Sequence, residues 1–262
     1  MKLSVFHEYG EELEKRLRLK TFPLAIKLLQ KEEDIPAEAK RPMRDFGQHF
    51  SLCQGFAMSR REGIVVAMLK EDMWCFEPVV GYGIEEPPQY FLEGYNRFPR
   101  DVKTLEAGAN YAREFPRLET GKYIGVMSAP LTTTPFEPEV VMLYCNSAQL
   151  SLLLLGRECK DGTNLKCSLS SHAACIYGVV PVIQNGQCQI TVPCRGDHYV
   201  AIAGDDEMVF TVPKEGLEDL IMGLRYVHEA GSKMPRGYQM KPEWDLPGAY
   251  KKAGKMLGMD IP

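Results

Sequence analysis

The strongest constraint on the fold is an echo between the two halves of the chain. The first half runs from Pro23 through an apolar strand, a loop, a helix carrying His49 and Cys53, Gly63, a strand and Cys75, to glycines and acids. The second runs from Pro138 through an apolar strand, a helix and loop, a helix carrying His172 and Cys175, Gly186, a strand and Cys194, again to glycines and acids. Two strand–helix–strand units of this kind predict an α+β fold. We expect a single domain over 1–262, with similar halves at 19–115 and 121–230 related by a pseudo-twofold internal duplication and a C-terminal extension at 231–262. Chance similarity between two common units is the competing explanation.

The local reading follows hydrophobic period and breakers. Phe6–Leu19 is predicted as an amphipathic helix and Leu24–Leu29 as a strand. A helix is expected from about Asp45 through Cys53 to Gly63, then a strand over Ile64–Leu69. Leu92–Phe98 and Asp101–Ala112 read as helices. In the second half, Tyr123–Met127 and Val140–Tyr144 read as strands, Ser147–Leu155 as a helix ended at Gly156, and Ser168–Gly178 as a short helix. Gln187–Val192 reads as a strand and Cys194–Asp197 as a turn. Tyr199–Ala203 and Met208–Val212 are expected to pair as a hairpin across Gly204–Glu207, with helices over Leu217–Glu229 and Ala249–Leu257.

Charge and hydropathy narrow the setting. A formal net charge of −4 argues against a dominant nucleic-acid surface. The charged start of the chain shows no apolar signal core. The leucine-rich stretch Leu150–Leu155 is far too short to span a bilayer, so we expect a cytoplasmic protein with no membrane partner. The 8 cysteines then point to thiols or metal ligands rather than disulfides. Any one of them, taken alone, also reads as a small buried hydrophobe.

Three chemistries remain open for these cysteines. A pseudo-twofold axis would let Cys53, Cys75, Cys175 and Cys194 converge, and four thiolates suit an iron–sulfur cluster or a structural zinc. No C-x-x-C pair is present, so spacing alone gives no metal signature. His49 and His172 lie about one helical turn before Cys53 and Cys175, offsets that share a helix face. They could act as bases or as further ligands, or be semi-buried hydrogen-bonded side chains. Cys194 precedes Arg195, Gly196 and Asp197, where a cationic neighbour and free amides would lower a thiol pKa, as a thiol-dependent enzyme requires. The third chemistry is a metal-free module that binds or senses a small molecule. The basic neighbourhood Arg41, Arg44, Arg60 and Arg61 could bind an anionic ligand, but reads first as a solvated helix face. Gly81-Tyr82-Gly83 is not a full dinucleotide fingerprint, and no P-loop, zincin or nucleophile-elbow pattern occurs.

Several ordered motifs resemble a known family. Pro23-Leu24-Ala25-Ile26-Lys27-Leu28, Cys53-Gln54 with Ala57, Arg60-Arg61-Glu62-Gly63 and Cys75 are followed by Gly121-Lys122-Tyr123 and Phe136-Glu137-Pro138. Asn146 with Ala148-Gln149, Cys175, and Cys194-Arg195-Gly196-Asp197 with Glu207 and Pro213 complete the set. Together they resemble the uncharacterised prokaryotic domain-of-unknown-function family 169, over roughly Leu19 to Leu224. The resemblance implies that Cys53, Cys75, Cys175 and Cys194 are the family-type cysteines and that Cys145, Cys159, Cys167 and Cys188 are incidental. It also implies a link to anaerobic prokaryotes, which suits an oxygen-sensitive cluster. The family pattern places an arginine after the Gly-Asp pair, where this chain has His198. The leading expectation is a [4Fe–4S] cluster with a redox or anion-binding role, with zinc or no metal as alternatives. Such a role implies a redox partner or a small anionic ligand, and leaves a homo-oligomer open.

Overall fold

A computed structural model of the chain describes residues 2–234 and 248–259. Its centre is a six-stranded antiparallel sheet of β1 (Leu24–Leu29), β2 (Val66–Leu69), β3 (Gly125–Pro130), β4 (Val140–Cys145), β5 (Gln189–Thr191) and β6 (Met208–Pro213). The spatial order is β2-β3-β1-β4-β6-β5. When β1, β2 and β3 are matched with β4, β5 and β6, that order reads the same from either edge. The two central strands, β1 and β4, pair antiparallel, with Leu24 opposite Met142 and Ile26 opposite Val140.

The strands are apolar almost throughout because both faces are covered. Side chains alternate along a strand, and the alternation divides the core in two. Leu24, Ile26, Met68, Val126, Val140, Met142 and Tyr144 face one layer. Ala25, Leu29, Ala67, Met127, Val141, Leu143 and Cys145 face the other. The second face is closed by three long helices: Leu3–Leu17, Ser147–Glu158 and Lys214–Glu229. The first face is closed by short helices and loops, among them Leu52–Ala57, Phe76–Gly81, Ala174–Tyr177 and Arg195–Val200. Short elements leave room for a cavity where long helices would not.

Several local expectations change. The helix over Ser147–Glu158 runs through Gly156 instead of ending there. A Cβ on Gly223 would lie 1.9 Å from the Gly156 carbonyl oxygen, so the two glycines are the crossing point of two helices. The helix expected from Asp45 begins at Leu52, where Ser51 and Gln54 form a reciprocal capping box. The segment 42–46 is a separate π-helical turn. Cys194–Asp197 is no free turn but the start of the helix Arg195–Val200. No 199–203 strand forms, and β6 pairs with β4 and β5 rather than in a hairpin. Only Gln89–Leu92 is α-helical near the expected Leu92–Phe98 helix. A helix spans Gly248–Met256 as expected, while residues 235–247 and 260–262 of the expected extension lie outside the described residues. Among the described residues no helix is long and apolar enough to cross a membrane.

Candidate functional site

Each of the four motif cysteines is set at or near the start of a short helix on the first face. Cys53 follows the Ser51 cap of Leu52–Ala57. Cys75 is itself the residue that opens Phe76–Gly81. Cys175 lies in Ala174–Tyr177, and Cys194 opens Arg195–Val200.

Specific contacts hold these starts in place. A parallel bridge between Phe50 and Met73 ties the chain before Cys53 to the chain before Cys75. Asp72, fully buried, accepts from Arg41 Nε at 2.9 Å and from the amides of Leu69 and Met43 at 3.0 and 3.1 Å. It thereby shapes the loop leading to Cys75. The Tyr82 hydroxyl donates to the Cys175 carbonyl at 2.7 Å, joining the Cys75 helix to the Cys175 helix. Cys53 and Ala57 pack with Ala201, joining the Cys53 helix to the end of the Cys194 helix.

All four thiols line one open cavity of about 760 Å³. A Cβ on Gly196 would lie 3.4 Å from Cys53 Sγ and 3.5 Å from Cys194 Sγ, so these two sulfurs flank one methyl-sized space. Cys175 interacts electrostatically with Cys53, Cys194 and Cys75. The remaining cysteines do not line the cavity. Cys145 packs on the opposite face of the sheet, Cys159 and Cys167 are exposed, and all eight are free thiols.

Hydrogen-bond donors converge on the sulfurs. Ser51 Oγ lies 3.0 Å from Cys53 Sγ, and the Gln54 amide also points at that sulfur. The Glu77 amide points at Cys75, and the Ala174 and Asp197 amides point at Cys194. Ala173 adopts a left-handed conformation, φ 47°, which is costly for a residue with a Cβ and places the Ala174 amide. Carboxylates are close as well. Cys75 Sγ donates to Glu77 Oε2 at 2.9 Å, and buried Asp197 caps the Cys194 amide at 3.0 Å.

Burial pushes all four thiols upward, Cys194 to about 11. For Cys194, desolvation is the largest cause and Asp197 adds to it. The lowered pKa expected from Arg195 is therefore not found. Arg195 is exposed and stands over the Tyr199 ring at 5.5 Å. The two histidines also fall differently from expectation. Neither is on a helix, so the shared helix face does not exist, and His49 is exposed outside the cavity. His172 does line the cavity, with Nε2 3.6 Å from Asp101 Oδ2. Burial, followed by the nearby Arg97, holds its imidazole below the usual histidine range. Gly196 lines the cavity, and Asp197 sits behind it.

The sequence reading missed other residues of the cavity. Arg97, Arg100 and Asp101 line it with the cysteines, as do the exposed Trp74 and Tyr199. All but Tyr199, which lies in the short helix Arg195–Val200, sit in turns and loops, where hydrophobic period carries no signal. Among the described residues, no three of His, Cys, Asp or Glu are grouped so as to hold one metal ion.

Comparison with known proteins gives one match. The DUF169 family model, described as uncharacterised ArCR, COG2043, covers residues 12–223. No curated protein and no solved structure matches the chain.

Proposed function

The chain belongs to the DUF169 family, and for this member of it we propose that Cys53, Cys75, Cys175 and Cys194 hold a [4Fe–4S] cluster. One observation carries the reading: four cysteines from four separate segments line a single cavity, and the other four do not. Thiolate is the donor such clusters take.

A single zinc would need all of its sulfurs within about 2.3 Å of one point, whereas a cluster lies between its ligands and takes them from farther apart. The raised thiols weigh against a thiol-dependent enzyme, which works through a readily formed thiolate.

The proposal includes an internal duplication. The strand order supports it, since it is unchanged when the halves exchange. The side-chain contacts support it too. Cys53 adjoins Cys194, and the Cys75 helix is tied to the Cys175 helix. Exchange of the halves turns one of these pairs into the other, as a twofold axis through the cavity would.

The chain's own residues then have defined roles. The four thiolates bind, the amides of Gln54, Glu77, Ala174 and Asp197 donate to the sulfurs, and the apolar surroundings limit water. Hydrogen bonds to sulfur and burial are the levers by which a protein sets a cluster's potential. When bound, the group supplies one-electron transfer or polarises an anion beside it. A cytoplasmic setting is the one in which free thiols of this kind persist, and an electron-transfer role requires a redox partner.

The test is isolation without oxygen. Brown protein with iron and acid-labile sulfide in equal amounts is expected. Serine at any of the four positions should remove most of the iron, while Cys145→Ser and Cys159→Ser keep it. Colourless, iron-free protein would overturn the proposal, and stoichiometric zinc in its place would reassign the site.

A further inference from the structure

Apolar side chains left in water surround the mouth of the cavity. Trp74, Tyr199 and Val200 line it, and Ile202 follows two residues on. Tyr90 interacts electrostatically with Arg100, another lining residue, and stacks on Tyr95 with ring centres 5.8 Å apart. These six side chains are between 38% and 78% exposed. An aromatic side chain presents roughly 150–250 Å², so the six together leave about 600 Å² in solvent. That is the upper end of what the largest patch on a monomer exposes, and it approaches the roughly 800 Å² that each partner gives to a standard protein interface.

Ile202 shows that the exposure is built in. It is β-branched at φ 55°, a backbone state such residues rarely adopt. Its carbonyl accepts from Arg60 Nη2 at 3.5 Å and from Arg61, and the preceding Ala201 is buried against Cys53 and Ala57. These contacts hold a strained residue in place with its side chain outside the core. Strain of this kind collects at functional sites.

Charge does not single out a partner of opposite sign. Arg97 pairs with Glu77 and Asp101, and Arg100 pairs with Asp101, so two cations meet two carboxylates. Arg195 and the thiolates of a bound cluster add charges of opposite sign. What remains is apolar and aromatic contact, which a surface can make with a copy of itself. Tryptophan, tyrosine and arginine are also the residue types that dominate interfaces between chains.

We propose that this face is the interface of a homodimer, in which each copy covers the mouth of the other's cavity. A twofold arrangement uses the same patch on both sides and keeps water from both sets of cysteines. The covering deepens the cluster reading and rests on it for its purpose. The interface itself needs only the patch.

Sedimentation velocity of the full chain purified without oxygen is the test, with iron measured on the same sample. At about 50 μM, above the weakest affinities of interfaces this size, the chain should sediment as a dimer. Asparagine tolerates the left-handed backbone, so Ile202→Asn should keep the circular dichroism of the parent chain. It should raise the dissociation constant at least about tenfold, because the lost burial counts twice across a twofold interface. Tyr199→Ser should act in the same direction. Met222→Gln, exposed on the helix Lys214–Glu229 that covers the other face of the sheet, should leave the dimer unchanged. In iron-stripped protein, iodoacetamide should modify Cys194 more slowly in the parent chain than in Ile202→Asn, with the exposed Cys159 unaffected.

A monomer at that concentration, a dimer indifferent to both Ile202→Asn and Tyr199→Ser, or one weakened as much by Met222→Gln would overturn the inference. Equal rates at Cys194 would overturn the covering of the cavity. An iron-free chain that dimerises through this face sinks the cluster and leaves the interface. An iron-replete monomer sinks the interface alone and gives the patch to a different protein.

Discussion

The Tyr144 hydroxyl donates to Asp197 Oδ1 at 2.7 Å, and the other Asp197 oxygen accepts the Cys194 amide at 3.0 Å. Tyr144 belongs to the central strand β4, so this pair fixes the Cys194 helix to the most constrained part of the sheet. Tyr144 and Asp197 are both buried. Tyr144→Phe therefore leaves one carboxylate oxygen without its donor and should destabilise the fold by about 1–3 kcal/mol. Urea unfolding measures this. An unchanged midpoint would mean that Asp197 is held by other contacts.

Arg60 stacks on the other side of the same tyrosine, with its guanidinium 3.9 Å from the ring centre. It is 1% exposed and pairs with Glu207 at 3.3 Å. It also reaches the carbonyls of Ala201 and Ile202, the latter on a β-branched residue at φ 55°. Arg60→Met alone should cost about 3–5 kcal/mol, because Glu207 is left as a buried, unpaired charge. Adding Glu207→Gln should recover most of that loss. If the double variant is no more stable than the single one, the cost lies in the carbonyl contacts and the ring stacking rather than in the orphaned carboxylate.

Gly196 offers a test of the proposed cluster apart from the fold. Its φ is not in the left-handed region, so alanine is compatible with the backbone, and in a helix alanine is favoured by up to about 1 kcal/mol. The added methyl would sit against Cys53 Sγ and Cys194 Sγ at ordinary contact distance. Gly196→Ala should keep or raise the unfolding midpoint of the metal-free protein while lowering the iron content of protein isolated without oxygen. A full iron complement in this variant would show that nothing needs the space between those two sulfurs.

The sequence carried the cysteine set and the strands because both leave marks along the chain. Leu24–Leu29 and Val140–Cys145 are buried on two faces and so read as continuous apolar runs. The motif cysteines recur in the same order in each half, the first behind a histidine and the second behind a strand. The helices around them were misplaced because each is four to six residues long, shorter than two turns, and period needs a longer window. Ser51 before Leu52 was the available signal for the Cys53 helix, through its box with Gln54. Gly156 reads as a helix end because a glycine closing an apolar run usually is one. Its true partner, Gly223, is 67 residues on and visible only in packing. The acidity of Cys194 departs from its sequence context for a similar reason: Arg195 adjoins Cys194 in sequence but turns to Tyr199, while buried Asp197 turns back.

Asp101, which lines the cavity beside Arg97 and Arg100, offers a pH test. Its hydrogen bond from Arg100, with Arg97 assisting, holds its carboxyl at about 2, below the ordinary aspartate value of 3.8. A depressed folded-state pKa contributes stability that is fully present above the unfolded value and disappears as pH falls through the folded one. The window is therefore from about pH 4 down to about pH 2. Asp101→Asn removes that contribution but keeps the side-chain size and one acceptor oxygen. The chain that keeps Asp101 should be the more stable at pH 6, by a margin kept modest by solvent screening at this partly exposed site. The margin should shrink steadily in urea titrations at pH 4, 3 and 2. Arg97 and Arg100, which also face Asp101, keep their charge over that range, and His172, which gains a proton as pH falls, is replaced by glutamine in both chains so that it does not supply the slope. A margin that stays constant from pH 6 to 2 would show that Asp101 is not ionically held in the folded chain.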